Sequence, residues 1–225
     1  MSKKMEISPE SLLEKFSSKK TYYAPVESLE EELTTPQVSD ALELITGKSG
    51  VIPFIKPIKQ NIKISGTVVT AKTKSEDWGT VLNAIDAAKK GEILFIDSEG
   101  ENNAVWGELT SKYAQKKGLE GTVVCGAVRD VGAIHDLNYP VFSSSIVPNA
   151  GEPKAEGQIN ICIIYGEVQI KPGDWILGDE CGVVVVPAEI LQEVMEKATQ
   201  LKKEEAKILS RIEDGWSLTE ILNIN

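Results

Sequence analysis

Two short runs constrain the fold more than anything else in the chain: Ile93-Leu94-Phe95-Ile96-Asp97, and Thr122-Val123-Val124-Cys125-Gly126-Ala127-Val128. Neither alternates apolar with polar residues, so each reads as a strand covered on both faces, as in sheets flanked by helices. Ahead of them, Ile62 to Lys72 alternates well enough to be a strand, with Gly66 as a possible bulge or bend. Val81, Ile85 and Ala88 then mark one helix face closed by Gly91, and a second helical run starts at Gly107-Glu108. Strand, helix, strand, helix, strand is the pattern of parallel pairing through right-handed crossovers.

Around this centre the other segments are easily placed. Ser8-Pro9 opens an expected helix with Leu12, Leu13 and Phe16 on its apolar face, and Tyr22 to Ser28 is irregular. Thr34-Thr35-Pro36 opens another, with Val38, Ala41, Leu42 and Ile45 inward and Gly47 as its stop. Ser39 and Asp40 fall on its polar face. Pro53 to Pro57 breaks regular structure, and the polar stretch from Asp97 to Trp106 reads as a loop at the carboxyl end of a strand. Strands are expected at 141–144, 159–165, 168–170, 175–177 and 183–186, with turns at Pro172-Gly173-Asp174 and Asp179-Glu180-Cys181-Gly182. A long amphipathic helix starts at Ala188, with Leu191, Val194, Met195, Ala198 and Leu201 on its apolar side. Gly215 ends it before a last apolar turn at 218–222.

A chain of 225 residues suits a single domain. Its net charge of −10 and pI near 4.8 disfavour nucleic-acid binding, which calls for a basic face. No apolar run approaches a membrane span and the amino terminus has no signal pattern, so a cytoplasmic protein is expected. Cys125, Cys162 and Cys181 lack metal or disulfide spacing. A single histidine, His135, rules out machinery needing two such rings, and it is expected on the polar side of a short helix.

The stretch that carries chemistry is Gly107-Glu108-Leu109-Thr110 together with Arg129-Asp130. Strand ends are where α/β folds place ligands, and Arg129-Asp130 follows a buried strand directly. The free amides of Leu109 and Thr110 at a helix start are suited to a carboxylate, and Gly107 permits close backbone approach. On chemistry alone an adjacent Arg-Asp pair is more often a solvated turn than a site, and Glu108 equally a first-turn helix stabiliser.

These motifs, with the later Lys171-Pro172-Gly173-Asp174-Trp175-Ile176-Leu177-Gly178-Asp179 and Gly182-Val183-Val184-Val185-Val186-Pro187, resemble the RraA-like family over about Val38 to Gly215. That family contains class II 4-hydroxy-4-methyl-2-oxoglutarate aldolases, oxaloacetate decarboxylases and regulators of ribonuclease activity. The resemblance implies an α/β fold of three β/β/α layers, a swivelling-type domain with a mixed sheet and flanking N- and C-terminal helices. One domain would span 1–225, with an N-terminal helical extension over 1–34 and an intersubunit C-terminal helix over 188–225. Homotrimers or dimers of trimers are implied, with sites between subunits.

It also implies a metal-dependent carbon–carbon lyase that acts on a small 2-oxo acid and releases pyruvate. Asp130 would hold Mg2+ or Mn2+, Arg129 would pair with the forming enolate or its carboxylate, and the Leu109 and Thr110 amides would orient the far carboxylate. Glu108 would hold a basic water, aided by Glu205, or Glu204 one position earlier, from a neighbouring subunit. The other class the family contains is a noncatalytic regulator that binds a ribonuclease or another protein through an acidic surface.

Overall fold

The computed structural model describes residues 33–224. The expected helix from Ser8 and the irregular stretch after it lie outside them. Helix α1 (Thr35–Thr46) forms where Thr34 and Pro36 start it and left-handed Gly47 stops it, and it buries Val38, Ala41 and Leu42. The sheet strands are β1 (Lys56–Pro57), β2 (Ile64–Lys72), β3 (Ile93–Asp97), β4 (Ala104–Trp106), β5 (Gly121–Val128), β6 (Val141–Ile146) and β7 (Gln158–Ile159). A hairpin of β8 (Ile163–Tyr165) and β9 (Val168–Ile170) precedes β10 (Trp175–Asp179) and β11 (Gly182–Val186). Helices α2 (Gly79–Ala87), α3 (Glu108–Lys117) and α4 (Val131–Leu137) connect the central strands. A short 3-10 turn at Ala188–Ile190 leads into α5 (Leu191–Glu213), followed by α6 (Leu218–Leu222).

The main sheet runs β1-β6-β5-β3-β2-β10-β11, with β4 on β5 and β7 on β2. Strands β2, β3, β5 and β6 pair in parallel, as the alternating strands and helices require, while β10 and β11 turn back antiparallel. The sheet is therefore mixed, and it curls until its edges nearly meet. Val51, just ahead of β1, bridges Val184 of β11, and the Ile52 amide donates to the Val183 carbonyl at 2.9 Å.

Three apolar clusters follow from this curl. Phe95, Val123 and Cys125 face Ile176, Val183 and Val185 inside it. On the outside of the parallel strands, Leu94, Ile96, Val124 and Val128 pack beneath α2, α3 and α4. A third cluster joins Val38 and Leu42 of α1 and Val194 and Ala198 of α5 to Leu177, Val184 and Val186. This is a β/β/α layering.

Three local expectations differ from what is found. Gly66 sits in unbroken register with Ile176, and no bulge forms there. Its reason is space, since a Cβ would lie 2.8 Å from the Gly91 carbonyl oxygen. The expected strand at 159–165 is two pieces, β7 and β8, parted at Asn160, whose φ of 54° is left-handed. The loop from Asp97 to Trp106 contains the short strand β4, parallel to β5.

The turn residues Asp174 and Asp179 are architectural. Buried Asp179 accepts from the Thr35 amide at 2.7 Å, the Thr35 hydroxyl at 2.6 Å and the Cys181 amide at 2.8 Å. It thus fixes the start of α1 against the β10–β11 turn. Asp174 accepts from the Lys171 and Ala188 amides.

Candidate active site

β4 and β5 end side by side, and their ends hold the two halves of the site. The Arg129 amide donates to the Trp106 carbonyl at 2.9 Å. A register shift between Val124 and Ala127 breaks the β5–β6 ladder at Gly126, where a Cβ would overlap the Ser98 hydroxyl. Such an irregularity re-aims the end of a strand. Asp130 then takes a left-handed conformation (φ 57°, ψ 34°) at the start of α4.

Gly107 caps α3 in extended backbone. Its amide donates to the Thr110 hydroxyl at 2.9 Å, and that hydroxyl returns a bond to the Gly107 carbonyl at 3.0 Å. The Glu108 amide donates to Asp130 Oδ2 at 3.3 Å, and Arg129 Nε lies 3.5 Å from the same oxygen. A Cβ on Gly107 would sit 2.7 Å from Asp130 Oδ2 and 3.2 Å from Arg129 Cγ. Only glycine leaves room for that approach. Leu109 and Thr110 occupy the first turn of α3, where amides have no intrahelical acceptor. Behind them, Trp106 is fully buried, donates its indole N–H to the Ser111 hydroxyl at 2.7 Å and stacks on Tyr139.

A small cavity of about 50 Å³ lies at these halves, lined by Gly107, Leu109, Thr110, Arg129 and Asp130. Trp78, Ala104 and Ala150 add a further stretch of wall. Sequence reasoning missed that wall because its residues come from distant parts of the chain.

The wall is held by Asp77, 4% exposed, whose carboxylate accepts from the amides of Gly79, Ala155 and Glu156 and the hydroxyls of Thr73 and Thr80. Burial alone would raise its pKa. The donors, led by the Ala155 and Glu156 amides, outweigh burial and hold it well below the usual carboxylate range. The Trp78 indole N–H donates to the Gly151 carbonyl at 3.1 Å, and Ala104 bridges Ala150. The signal available in sequence was Asp77-Trp78-Gly79, an acid with a backbone donor two residues on.

The remaining predicted residues lie elsewhere. Glu108 contributes its backbone to Asp130, but its exposed side chain is not part of the cavity lining. Glu205 is exposed on α5 and accepts from the Gln37 side chain at 2.8 Å. It is not part of this cavity lining either. His135 is half-buried and its Nε2 lies 2.8 Å from the Ile58 carbonyl oxygen, tying α4 to the segment after β1. A larger cavity of about 600 Å³ between the end of α1 and the β8–β9 turn contains none of the predicted residues.

Asp130 offers a hard oxygen donor at the cavity, and among the described residues the Glu108 amide and Arg129 Nε both meet its Oδ2. Among the described residues no three His, Cys, Asp or Glu side chains cluster as a metal cage. One carboxylate beside an open space fits a hard divalent ion that completes its shell with water and substrate oxygens.

The match to the family described as Aldolase/RraA runs over residues 35–185, which include both halves of the site. The chain belongs to the RraA-like family. An uncharacterized protein of Methanocaldococcus jannaschii is 43% identical over 173 residues, covering 76% of this chain and 83% of that one. A Halalkalibacterium halodurans protein named "Putative 4-hydroxy-4-methyl-2-oxoglutarate aldolase" is 35% identical over 175 residues, covering 77% of this chain and 80% of its own. The crystal structure of an uncharacterized Pseudomonas syringae protein matches with a TM-score of 0.76 at 28% identity, over 84% of this chain and 88% of that chain. The RraA-like fold is thus shared along most of this chain.

Proposed function

We propose that this protein is a divalent-metal-dependent carbon–carbon lyase that releases pyruvate from a small 2-oxo acid, by retro-aldol cleavage of a 4-hydroxy-2-oxo acid or by decarboxylation of oxaloacetate. The observation that carries this reading is the meeting of the α3 N-terminus with Arg129 and Asp130 at one cavity. Relatives named as aldolases support lyase chemistry at the level of the family.

Breaking the bond beyond C3 leaves the electron pair on the pyruvate fragment as an enolate, so negative charge develops at the 2-keto oxygen. Arg129, half-exposed beside the cavity, is placed to pair with that charge or with the adjacent carboxylate. The Leu109 and Thr110 amides, at the positive end of α3, bind the other carboxylate. Asp130 would hold Mg2+ or Mn2+, which supplies a Lewis acid at that end of the cavity. Glu108, whose side chain is exposed at the start of α3 outside the cavity lining, would orient the water that takes the C4-hydroxyl proton only with a neighbouring copy closing the site, Glu205 of that copy being the second acid. In decarboxylation the C4 carboxylate leaves as carbon dioxide and that base is not needed.

The test is pyruvate release from oxaloacetate and from 4-hydroxy-4-methyl-2-oxoglutarate, with Mg2+ or Mn2+ and then with a chelator. Metal-dependent release, lost in Arg129→Ala and Asp130→Asn proteins with unchanged circular dichroism, supports the reading. Full activity in Asp130→Asn would remove the metal assignment. Silence on both substrates, with retention of a ribonuclease on the immobilised protein, would favour the regulator.

A further inference from the structure

We infer that Thr110 and Ser144 are positioning residues for this site: each hydroxyl clasps the backbone of one glycine, and the two clasps together set how the first amides of α3 approach Arg129 and Asp130. The inference rests on the proposed 2-oxo acid site. It gives a role to two hydroxyls that the lyase chemistry leaves unused.

The clasps have the same form. Thr110 Oγ1 accepts from the Gly107 amide at 2.9 Å and donates to the Gly107 carbonyl at 3.0 Å. Ser144 Oγ accepts from the Gly126 amide at 3.0 Å and donates to the Gly126 carbonyl at 3.0 Å. In a helix interior or an unbroken ladder, other backbone groups would meet that amide and that carbonyl. Regular pairing is interrupted at both glycines, since Gly107 caps α3 and Gly126 lies in the register shift between β5 and β6.

Glycine has the freest backbone of any residue, and both of these precede the working groups. Gly107 comes just before the Leu109 and Thr110 amides, and Gly126 shortly before Arg129. Neither can be exchanged for a stiffer residue, since a Cβ would lie 2.7 Å from Asp130 Oδ2 at Gly107 and 1.8 Å from Ser98 Oγ at Gly126. Stiffness at these two points therefore has to come from a neighbouring side chain.

The other ties across the site leave this task to the clasps. The Arg129 amide holds the Trp106 carbonyl at 2.9 Å, but Trp106 precedes the Gly107 pivot. The Trp106 indole holds the Ser111 hydroxyl at 2.7 Å, and so fixes α3 beyond the two working amides. The Glu108 amide reaches Asp130 Oδ2 at 3.3 Å, long against the about 2.7–3.2 Å usual for such a bond. Thr110 is 6% exposed, so water is poorly placed to replace its hydroxyl.

The experiment compares wild type with Thr110→Val and Ser144→Ala, which remove a hydroxyl, and with Thr110→Ser and Ser144→Thr, which keep one. Amide hydrogen exchange by NMR reads the clasps themselves; kcat and KM for pyruvate release, in buffer containing Mg2+, read their effect on the site. Exchange should quicken about tenfold at Gly107 in Thr110→Val and at Gly126 in Ser144→Ala, each without change at the other glycine. A misplacement of about 1 Å can cost about 100-fold in rate, so a partial one should cost about tenfold. Thr110→Val should place its loss in KM, because the α3 amides bind a carboxylate already present in the substrate. Ser144→Ala should place its loss in kcat, because Arg129 meets charge that develops during cleavage. The variants that keep a hydroxyl should behave as wild type. Unchanged exchange at both glycines overturns the assignment, as do kinetic constants unmoved by removal of either hydroxyl, or equal losses when the hydroxyl is kept. Ser144 is half-buried on β6, so Ser144→Ala decides the matter should Thr110→Val fail to fold. A wild type that releases no pyruvate, with exchange as expected, would overturn the lyase and keep the clasps.

Discussion

Replacing Asp77 by alanine removes one acceptor that serves five donors: the Gly79, Ala155 and Glu156 amides and the Thr73 and Thr80 hydroxyls. The hydroxyls can rotate to other partners, and Thr73 already contacts the Asp77 carbonyl. The three amides cannot rotate. At about 1 kcal/mol for each unsatisfied amide, the low end of the range because Ala155 and Glu156 are exposed and water can reach them, the loss is about 3 kcal/mol. Its pH dependence is specific. The native carboxyl is held below its ordinary value, so its contribution is complete above the unfolded-state pKa of about 3.9 and is lost as pH falls from there through the lowered native value.

Urea unfolding of wild type and Asp77→Ala at fixed protein concentration, at pH 7 and in steps down to about pH 3, measures this difference. The gap between the proteins should be about 3 kcal/mol at pH 7 and should narrow below about pH 4 as wild type loses stability faster. A gap under about 0.5 kcal/mol, or one that stays constant across that range, would refute the account of Asp77 as a charged hub.

Further outcomes follow from other contacts. Gly107→Ala places a Cβ 2.7 Å from Asp130 Oδ2, and because the backbone there is extended rather than left-handed, folding should be little affected while kcat/KM for pyruvate release falls about 100-fold. Asp179→Ala leaves the Thr35 and Cys181 amides without their acceptor and should cost about 2 kcal/mol, or about 4–8 °C in Tm by calorimetry, with pyruvate release intact below the transition. His135→Gln, which can still meet the Ile58 carbonyl, should leave the pH profile of activity unchanged.

What the sequence made legible followed from periodicity and punctuation. The non-alternating, mainly apolar 93–97 and 122–128 runs became strands buried throughout, and Pro36 and Gly47 bounded a helix as their chemistry demands. β4 was hidden because three residues inside a polar stretch are too few to show alternation. Asn160 split a run of apolar residues because asparagine tolerates left-handed backbone. In the site, Gly107 to Thr110 and Arg129-Asp130 were visible, since a helix start and a strand end are local events. Trp78 and Ala150 were not, because a wall formed by residues 72 positions apart exists only after the loop has folded against Asp77. Gly66 shows the same limit, since its neighbour Gly91 lies on another segment.

The left-handed turn at Asp130 bears on how variants of that position should be interpreted. Asparagine shares aspartate's tolerance of such a backbone, and glycine adopts it freely, whereas alanine and larger residues incur roughly 1 kcal/mol or more of strain there. An inactive Asp130→Ala protein would therefore confound a lost carboxylate with a bent chain. Asp130→Asn isolates the charge, and an Asp130→Gly protein that still folds would show that the turn's geometry, apart from its side chain, can be inherited without the chemistry.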